Sequence, residues 1–402
     1  MAILIVAGIL LIRMNNKDSI KALIFSTIAF AVSFAVWGCI APMAKTFQIN
    51  LHLTEQQTWF LIATPVLVGS IGRLPMGMLT DRFGGRIVIS LLLIFGAIAP
   101  FMLSRAEEYN DFLLWAFFLG LAGSFFPAGV AFTSKWFPQE KQGFALGIYG
   151  AGNIGQSIAL FSIPVLATTI GWQTSYKIFA LVALLWGIVF FLFAKNPSIV
   201  SSPKGLGHMF KILFSEPLSW LLSLFYFVTF GGFVALSIGL PKLLQEIFHL
   251  TAQDAGLRVA GFVVIATIMR PTGGWMSDKI GGAKLLSMVF AGAGLLAYGL
   301  TFEHIVPFTI GALGVAACIG LGNGAVFKLV PQYFPKDTGT VTGLVGAMGG
   351  LGGFFPPLLL GFIKTTTGQY DIGFGLLSLF CFVCLLLNYY IFLRQPKQIV
   401  VN

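Results

Sequence analysis

Twelve times in 402 residues the chain passes through an apolar run bounded by charged residues or by proline and glycine. A hydrocarbon core of roughly 30 Å needs about 20 apolar residues per helical crossing, and runs of that length recur from one end of the chain to the other. Reading the boundaries places crossings near 20–43, 57–80, 87–104, 112–134, 143–168 and 174–194. Six more follow near 217–240, 255–277, 284–302, 308–330, 339–363 and 372–393. The expected protein is all-α and membrane-embedded. It comprises an N-terminal cytoplasmic or interfacial segment (1–19), a six-helix bundle (20–194), a polar linker (195–216), a second bundle (217–393) and a tail (394–402). With 57% hydrophobic and only 9% charged residues, no stretch is left for a water-soluble domain.

The net charge of +10 would suggest nucleic acid in a soluble protein, but here it is spread over short loops and helix ends. Sixteen basic residues, among them Arg82, Arg86, Lys195, Lys279 and Arg394, fall at the termini and in the even-numbered loops. Six, including Lys45, Lys242 and Lys364, fall in the odd-numbered loops. The bias predicts that both termini and the middle loop face the cytoplasm of a bacterial-type inner membrane, with no nucleic-acid partner. Cys381-Phe-Val-Cys384 has the spacing of a metal or redox pair. It stands alone in the last apolar run, so it reads as small residues at a packing face, and no metal or cofactor is expected. The run Ile3 to Ile12 is too short to span, and Arg13, Lys17 and Lys21 follow it rather than precede it. It is therefore read as an interfacial segment or as sequence before a start at Met14, not as a signal peptide.

The two halves repeat each other. Arg73, Gly77, Asp81, Gly84 and Gly85 return 197 residues later as Arg270, Gly274, Asp278, Gly281 and Gly282. Phe137-Pro138 returns as Phe334-Pro335 and Gly155 as Gly352 at the same offset. Parallel repeats of six helices are related by an axis along the membrane normal, with the substrate site between them.

Arg73 and Arg270 are the two basic residues that fall in mid-span. An arginine facing lipid at the bilayer centre costs roughly 2.5–3.5 kcal/mol on insertion scales, so such residues face a bundle interior or a wet path. All the acidic residues, Glu55 and Glu246 included, are read as lying near the membrane surfaces. No carboxylate then remains at depth to pair with either arginine. Two permanent charges without counter-ions, at equivalent places in two halves, describe an anion site. The forked guanidinium suits a flat oxyanion in two-point contact.

Glycine marks the fifth and eleventh spans: Gly147, Gly150, Gly152 and Gly155 around Asn153, then Gly343, Gly346, Gly349 and Gly350. The match of Gly150 to Gly155 to a dinucleotide fingerprint is discounted, because no strand precedes it. Close helix packing accounts for glycines three or four apart, and bare backbone along an anion path accounts for them too; Asn153 favours the second. The loop from Gly77 through Asp81, Arg82 and Gly84 to Arg86 resembles the cytoplasmic motif of the major facilitator superfamily. Gly274, Asp278 and Lys279 form a weaker copy. Within that superfamily the chain resembles the nitrate/nitrite porter family, through the two arginines, the glycine stretches, Gly123-Ser-Phe-Phe126 and Tyr226-Phe-Val-Thr-Phe230. The resemblance implies that Arg73 and Arg270 hold nitrate or nitrite, that Phe126 and Phe230 cover its flat faces, and that Tyr226 and Asn153 add hydrogen bonds. It also implies gating by the motif residues.

A membrane potential of 100 mV opposes anion entry by roughly 2.3 kcal/mol per charge, so uptake needs a partner flux. Exchange of nitrate for nitrite is neutral and is the expected mechanism, by a monomer working through alternating access. Proton-coupled symport ranks second, because His52, His208, His249 and His304 all lie near span ends or in loops. Transport of another small anion remains a further alternative. An enzyme is not expected, since no nucleophile with a base and no metal cluster falls within the spans.

Overall fold

The computed structural model describes residues 17–137, 139–196, 216–334 and 338–394. Most of the expected N-terminal segment and linker, and all but Arg394 of the tail, lie outside the described residues; Asp81 is described in its backbone only. Among the described residues, twelve helices are long and apolar enough to cross a membrane. The first six spans are α1 Lys17–Asn50, α2 Glu55–Gly77, α3 Gly85–Leu103, α4 Tyr109–Ser134, α5 Ala145–Ile170 and α6 Trp172–Phe193. The second six are α7 Pro217–Ile247, α8 Ala252–Ile280, α9 Gly282–Thr301, α10 Ile305–Val330, α11 Val341–Thr367 and α12 Asp371–Arg394. Every expected span is present, but α1 and α7 run further than hydropathy marks. Lys45 and Lys242, read as loop residues, are helical.

Burial separates central from peripheral helices. In α7, 89% of the most apolar window is buried, against 28% in α12. The peripheral helices turn large apolar side chains outward, such as Phe95, Leu181, Leu295 and Leu386, which suits a chain whose outer solvent is hydrocarbon. The sequence repeat is carried into the backbone. Gly84 and Gly281 adopt φ of 80° and 88°, a left-handed conformation that a Cβ disfavours, at the same turn of the two halves.

Four spans are interrupted near mid-length. A 3₁₀ turn, Ala41–Met43, follows the first helix of α1, and Ser124 breaks α4. A second 3₁₀ turn, Ala151–Asn153, breaks α5, and residues 352–354 interrupt α11. Irregular backbone at membrane depth is tolerated where protein or a cavity covers it, so these breaks point to the interface between the halves.

On the end away from the Gly84 and Gly281 turns the halves are sealed together. Gln156 Nε2 in α5 donates to Ser237 Oγ in α7 at 2.8 Å, and Ser157 Oγ donates to the Ala260 carbonyl in α8 at 3.1 Å. Trp59 in α2 fills the space a side chain would need at Gly239 and Gly361 in the second half. Away from that seal, a Cβ at Gly147, Gly150, Gly274 or Gly346 would meet nothing within 4 Å.

Candidate functional site

Arg73 on α2 and Arg270 on α8 meet between the halves, as the repeat predicts. Arg73 is 5% exposed. Its Nε donates to the Gly123 carbonyl at 3.4 Å, and its guanidinium nitrogen donates across the interface to the Gly346 carbonyl at 2.8 Å. Arg270 donates to the Tyr226 hydroxyl at 3.4 Å. The two guanidinium groups stand within Coulombic reach of each other. Among the described residues no carboxylate forms an ion pair with either one. Carbonyls and a phenol satisfy hydrogen bonds without cancelling charge, so two positive charges remain, Arg73 buried and Arg270 half-buried, and attract an anion.

Each arginine lies over an aromatic ring of the opposite half. Arg73 is 4.8 Å from the Phe230 centroid, and Arg270 is 5.2 Å from that of Phe126. Phe230 itself stacks on Tyr226, with centroids 5.0 Å apart and planes 7° from parallel. The rings expected on the faces of the anion thus cover the guanidinium planes in this conformation, where cation–π attraction holds the forks in place. Two further aromatics belong to the group. Phe327 on α10 lies 5.5 Å from Arg270 and packs edge-on to Tyr226. Tyr149 on α5 donates to the Phe126 carbonyl at 3.0 Å and stacks on Phe30. Neither carries a sequence signal strong enough to separate it from the other aromatics, although Tyr149 does sit inside the glycine stretch.

The signature glycines divide into two sets. Gly147, Gly150 and Gly346 line open space. Gly152, Gly155, Gly349 and Gly350 are close-packed: a Cβ would strike Phe30, the Ala31 carbonyl, the Tyr226 ring and Ser70 respectively. Gly343 is half-buried. Asn153 closes the α5 break at 3% exposure, and its carboxamide oxygen has no hydrogen-bond partner among the described residues. The division predicts opposite phenotypes. Gly155→Ala should destabilise the fold by about 3 kcal/mol, because backbone rather than a flexible side chain is in the way. Gly147→Ala should leave the melting temperature within a degree or two while obstructing the path. Thermal unfolding in detergent beside a transport assay reads both.

The motif residues bond within their own halves. The Arg86 backbone N–H donates to Asn196 Oδ1 at 2.9 Å, and Arg86 Nε donates to the Phe191 carbonyl at 2.6 Å, fastening the turn to the end of α6. Asn196 also occupies the space a side chain would take at Gly84. Arg82 lies over Phe83 and Lys279 over Trp275, while Asp278 pairs with Lys328 on α10. Gly77 and Gly274 are lightly packed, with only Pro127 near the first.

One expectation is corrected at the sealed end. Lys242, read as a loop residue, is fully buried in α7. Its Nζ lies 2.6 Å from Glu55 and 2.8 Å from Glu246. Lys45 pairs with Glu246 at 2.7 Å, and Trp59 Nε1 donates to Glu55 at 2.7 Å. The Tyr370 hydroxyl sits 2.7 Å from Glu55 and 2.6 Å from Glu246. Burial and these two carboxylates push the Tyr370 phenol pKa up, so it stays protonated as a donor. Glu55 and Glu246 are therefore not simple surface groups. Their neutral four-charge cluster staples the halves, and hydropathy misplaced Lys242 because a charge paired at i+4 and across the interface no longer ends a helix.

The chain matches the family profile described as Major Facilitator Superfamily over residues 26–333 and again over 222–402. It is 40% identical to the nitrite extrusion protein of Bacillus subtilis, covering 91% of this chain and 92% of that one. To a probable nitrate transporter, NarT, of Staphylococcus epidermidis it is 38% identical, over 93% and 96% of the two chains. To a probable nitrate/nitrite antiporter, NarK1, of Thermus thermophilus it is 35% identical, over 96% and 94%. A solved bacterial homologue of the human lysosomal transporter Spinster shares the fold, with a TM-score of 0.74 at 17% identity, covering 96% of this chain and 99% of that one. Twelve spans, a two-half repeat and these relatives agree: the chain is a multi-pass membrane protein of the major facilitator superfamily and belongs to its nitrate/nitrite porter family.

Proposed function

We propose that the chain transports nitrate and nitrite across the bacterial cell membrane by exchanging one for the other. The observation that carries the reading is the pair Arg73 and Arg270, one from each half, with aromatic and carbonyl neighbours and, among the described residues, no paired carboxylate. An oxyanion between them would neutralise part of the charge and bridge the halves. The empty site keeps two like charges close together, which resists the rocking of 20–194 against 217–393. Rocking with an anion bound and stalling without one is obligatory exchange. In this scheme Tyr226 and Asn153 donate to the anion, and Phe126 and Phe230 move from the guanidinium planes onto its faces. Gly147, Gly150 and Gly346 leave the path unobstructed on the side of the two turns. The loop charges make that side, and both termini, cytoplasmic, and the working unit is a monomer.

The relatives named for nitrite extrusion, nitrate transport and nitrate/nitrite antiport support the substrate pair. Proteoliposomes loaded with nitrite should take up external nitrate with no pH gradient, and unloaded vesicles should take up little. Uptake that requires inward protons and ignores internal nitrite would replace exchange by symport.

A further inference from the structure

Building on the anion-carrier reading, we propose that Asn323 on α10 is a second amide of the substrate site and donates a hydrogen bond to the transported oxyanion. The repeat that maps Arg73 onto Arg270 maps Gly123 onto Gly320, Phe126 onto Asn323 and Ala128 onto Ala325 at the same offset of 197. Phe126 is the residue of the first half that meets Arg270. Its counterpart in the second half is an amide, so the two sides of the site are chemically unequal at this position.

Asn323 is 3% exposed, and its carboxamide oxygen has no hydrogen-bond partner among the described residues, the same condition as Asn153. Turning the amide by 180° exchanges oxygen and nitrogen, so either group can face a ligand. Asn323 lies one helical turn from Phe327, on the same face of α10, and Phe327 touches both Arg270 and Tyr226. At the adjacent Gly324 the α10 backbone runs directly against the Arg270 carbonyl, so this turn of α10 abuts the turn of α8 that carries the arginine. A buried amide oxygen without a partner is costly, and the fold places it beside a doubly positive site. With the amide turned, its nitrogen takes the place of the unpartnered oxygen and donates to a bound oxyanion.

The test compares Asn323→Leu, which keeps the size and removes the polar group, with Asn323→Gln and wild type in nitrite-loaded proteoliposomes. The readouts are KM for nitrate, KM for nitrite, and the rise in melting temperature on adding nitrate to detergent-solubilised protein. Asn323→Leu is expected to fold with a nitrate-free melting temperature at or above that of wild type, to raise KM about 10-fold or more and to lose most of the nitrate-induced rise, with Asn323→Gln intermediate. The nitrate-to-nitrite KM ratio should also move, because the two ions offer different oxygens to a fixed donor. If Asn323→Leu keeps both KM values and the thermal shift while wild type exchanges nitrate, the amide binds only water or packing neighbours and the proposal is wrong. If wild type itself shows neither exchange nor a nitrate-induced shift, the anion-carrier reading fails first.

Discussion

Replacing either Arg73 or Arg270 by lysine is expected to cut nitrate exchange about 100-fold while leaving the protein folded. Lysine keeps the charge, so the result separates charge from geometry. Each charge-assisted hydrogen bond to the anion contributes about 1.5–3 kcal/mol, and 1.4 kcal/mol is a factor of ten, so losing one arm of a fork accounts for about one to two decades, and the lost ring stacking adds to it. The arginine is also what the rings recognise: Phe230 lies under a planar guanidinium, which a compact ammonium does not reproduce. Arg73 additionally reaches the Gly346 carbonyl across the interface, so Arg73→Lys should impair the rocking step as well as binding. Initial exchange rates in proteoliposomes, with the nitrate-induced shift in melting temperature as a binding readout, check both effects. Full activity in both lysine variants would mean that charge alone attracts the substrate.

Lys242→Met should have the next largest effect, and it acts at the other end of the molecule. Breaking a buried ion pair by removing one partner costs about 3–5 kcal/mol, because the remaining charges stay buried and uncompensated. Here the loss leaves Glu55 of the first half against Glu246 of the second, with only Lys45, Tyr370 and nearby neutral donors to separate them. Repulsion between halves falls on the sealed conformation and not on the one in which this end is open. The equilibrium should move toward opening by about 100-fold if some 3 kcal/mol is felt there. A cysteine introduced by Ser237→Cys, at a fully buried position beneath the seal, should then react with a bulky maleimide at least 10-fold faster. Adding Glu55→Gln and Glu246→Gln should restore slow labelling, since neutral amides tolerate one another. Labelling indifferent to Lys242→Met would show that Trp59 packing and the Ser157–Ala260 bond hold the seal without the charge cluster.

How far the site was legible in the sequence depended on whether a residue announced its own cost. Arg73 and Arg270 did, because a guanidinium in the middle of an apolar run has no neutral explanation. The 197-residue offset placed them at equivalent positions before any coordinates. Lys242 did not, because one turn from the end of an apolar run a buried lysine and a loop lysine look alike. Only the arrival of Glu55 from another helix distinguishes them. The glycines were legible as a class but not individually. Gly147 faces open space and Gly155 lies against the Ala31 backbone, yet both belong to the same short stretch. Asn323 and Phe327 sit in a run with no motif of its own, so their relation to Arg270 emerges only when α10 is laid against α8.

Hydropathy, loop charge and the internal repeat by themselves determined twelve spans, two related halves and a pair of unpaired positive charges at depth. These are properties of single helices, and the bilayer imposes them locally on each run of about twenty residues. Which aromatic lies over which guanidinium, which glycines pack and which end of the molecule is sealed were decided by the tertiary structure alone. Those facts depend on side chains some 200 positions apart in the chain, such as Lys45 and Glu246, meeting at hydrogen-bond distance. No local preference encodes such a meeting, because it exists only in the conformation that brings the two halves together.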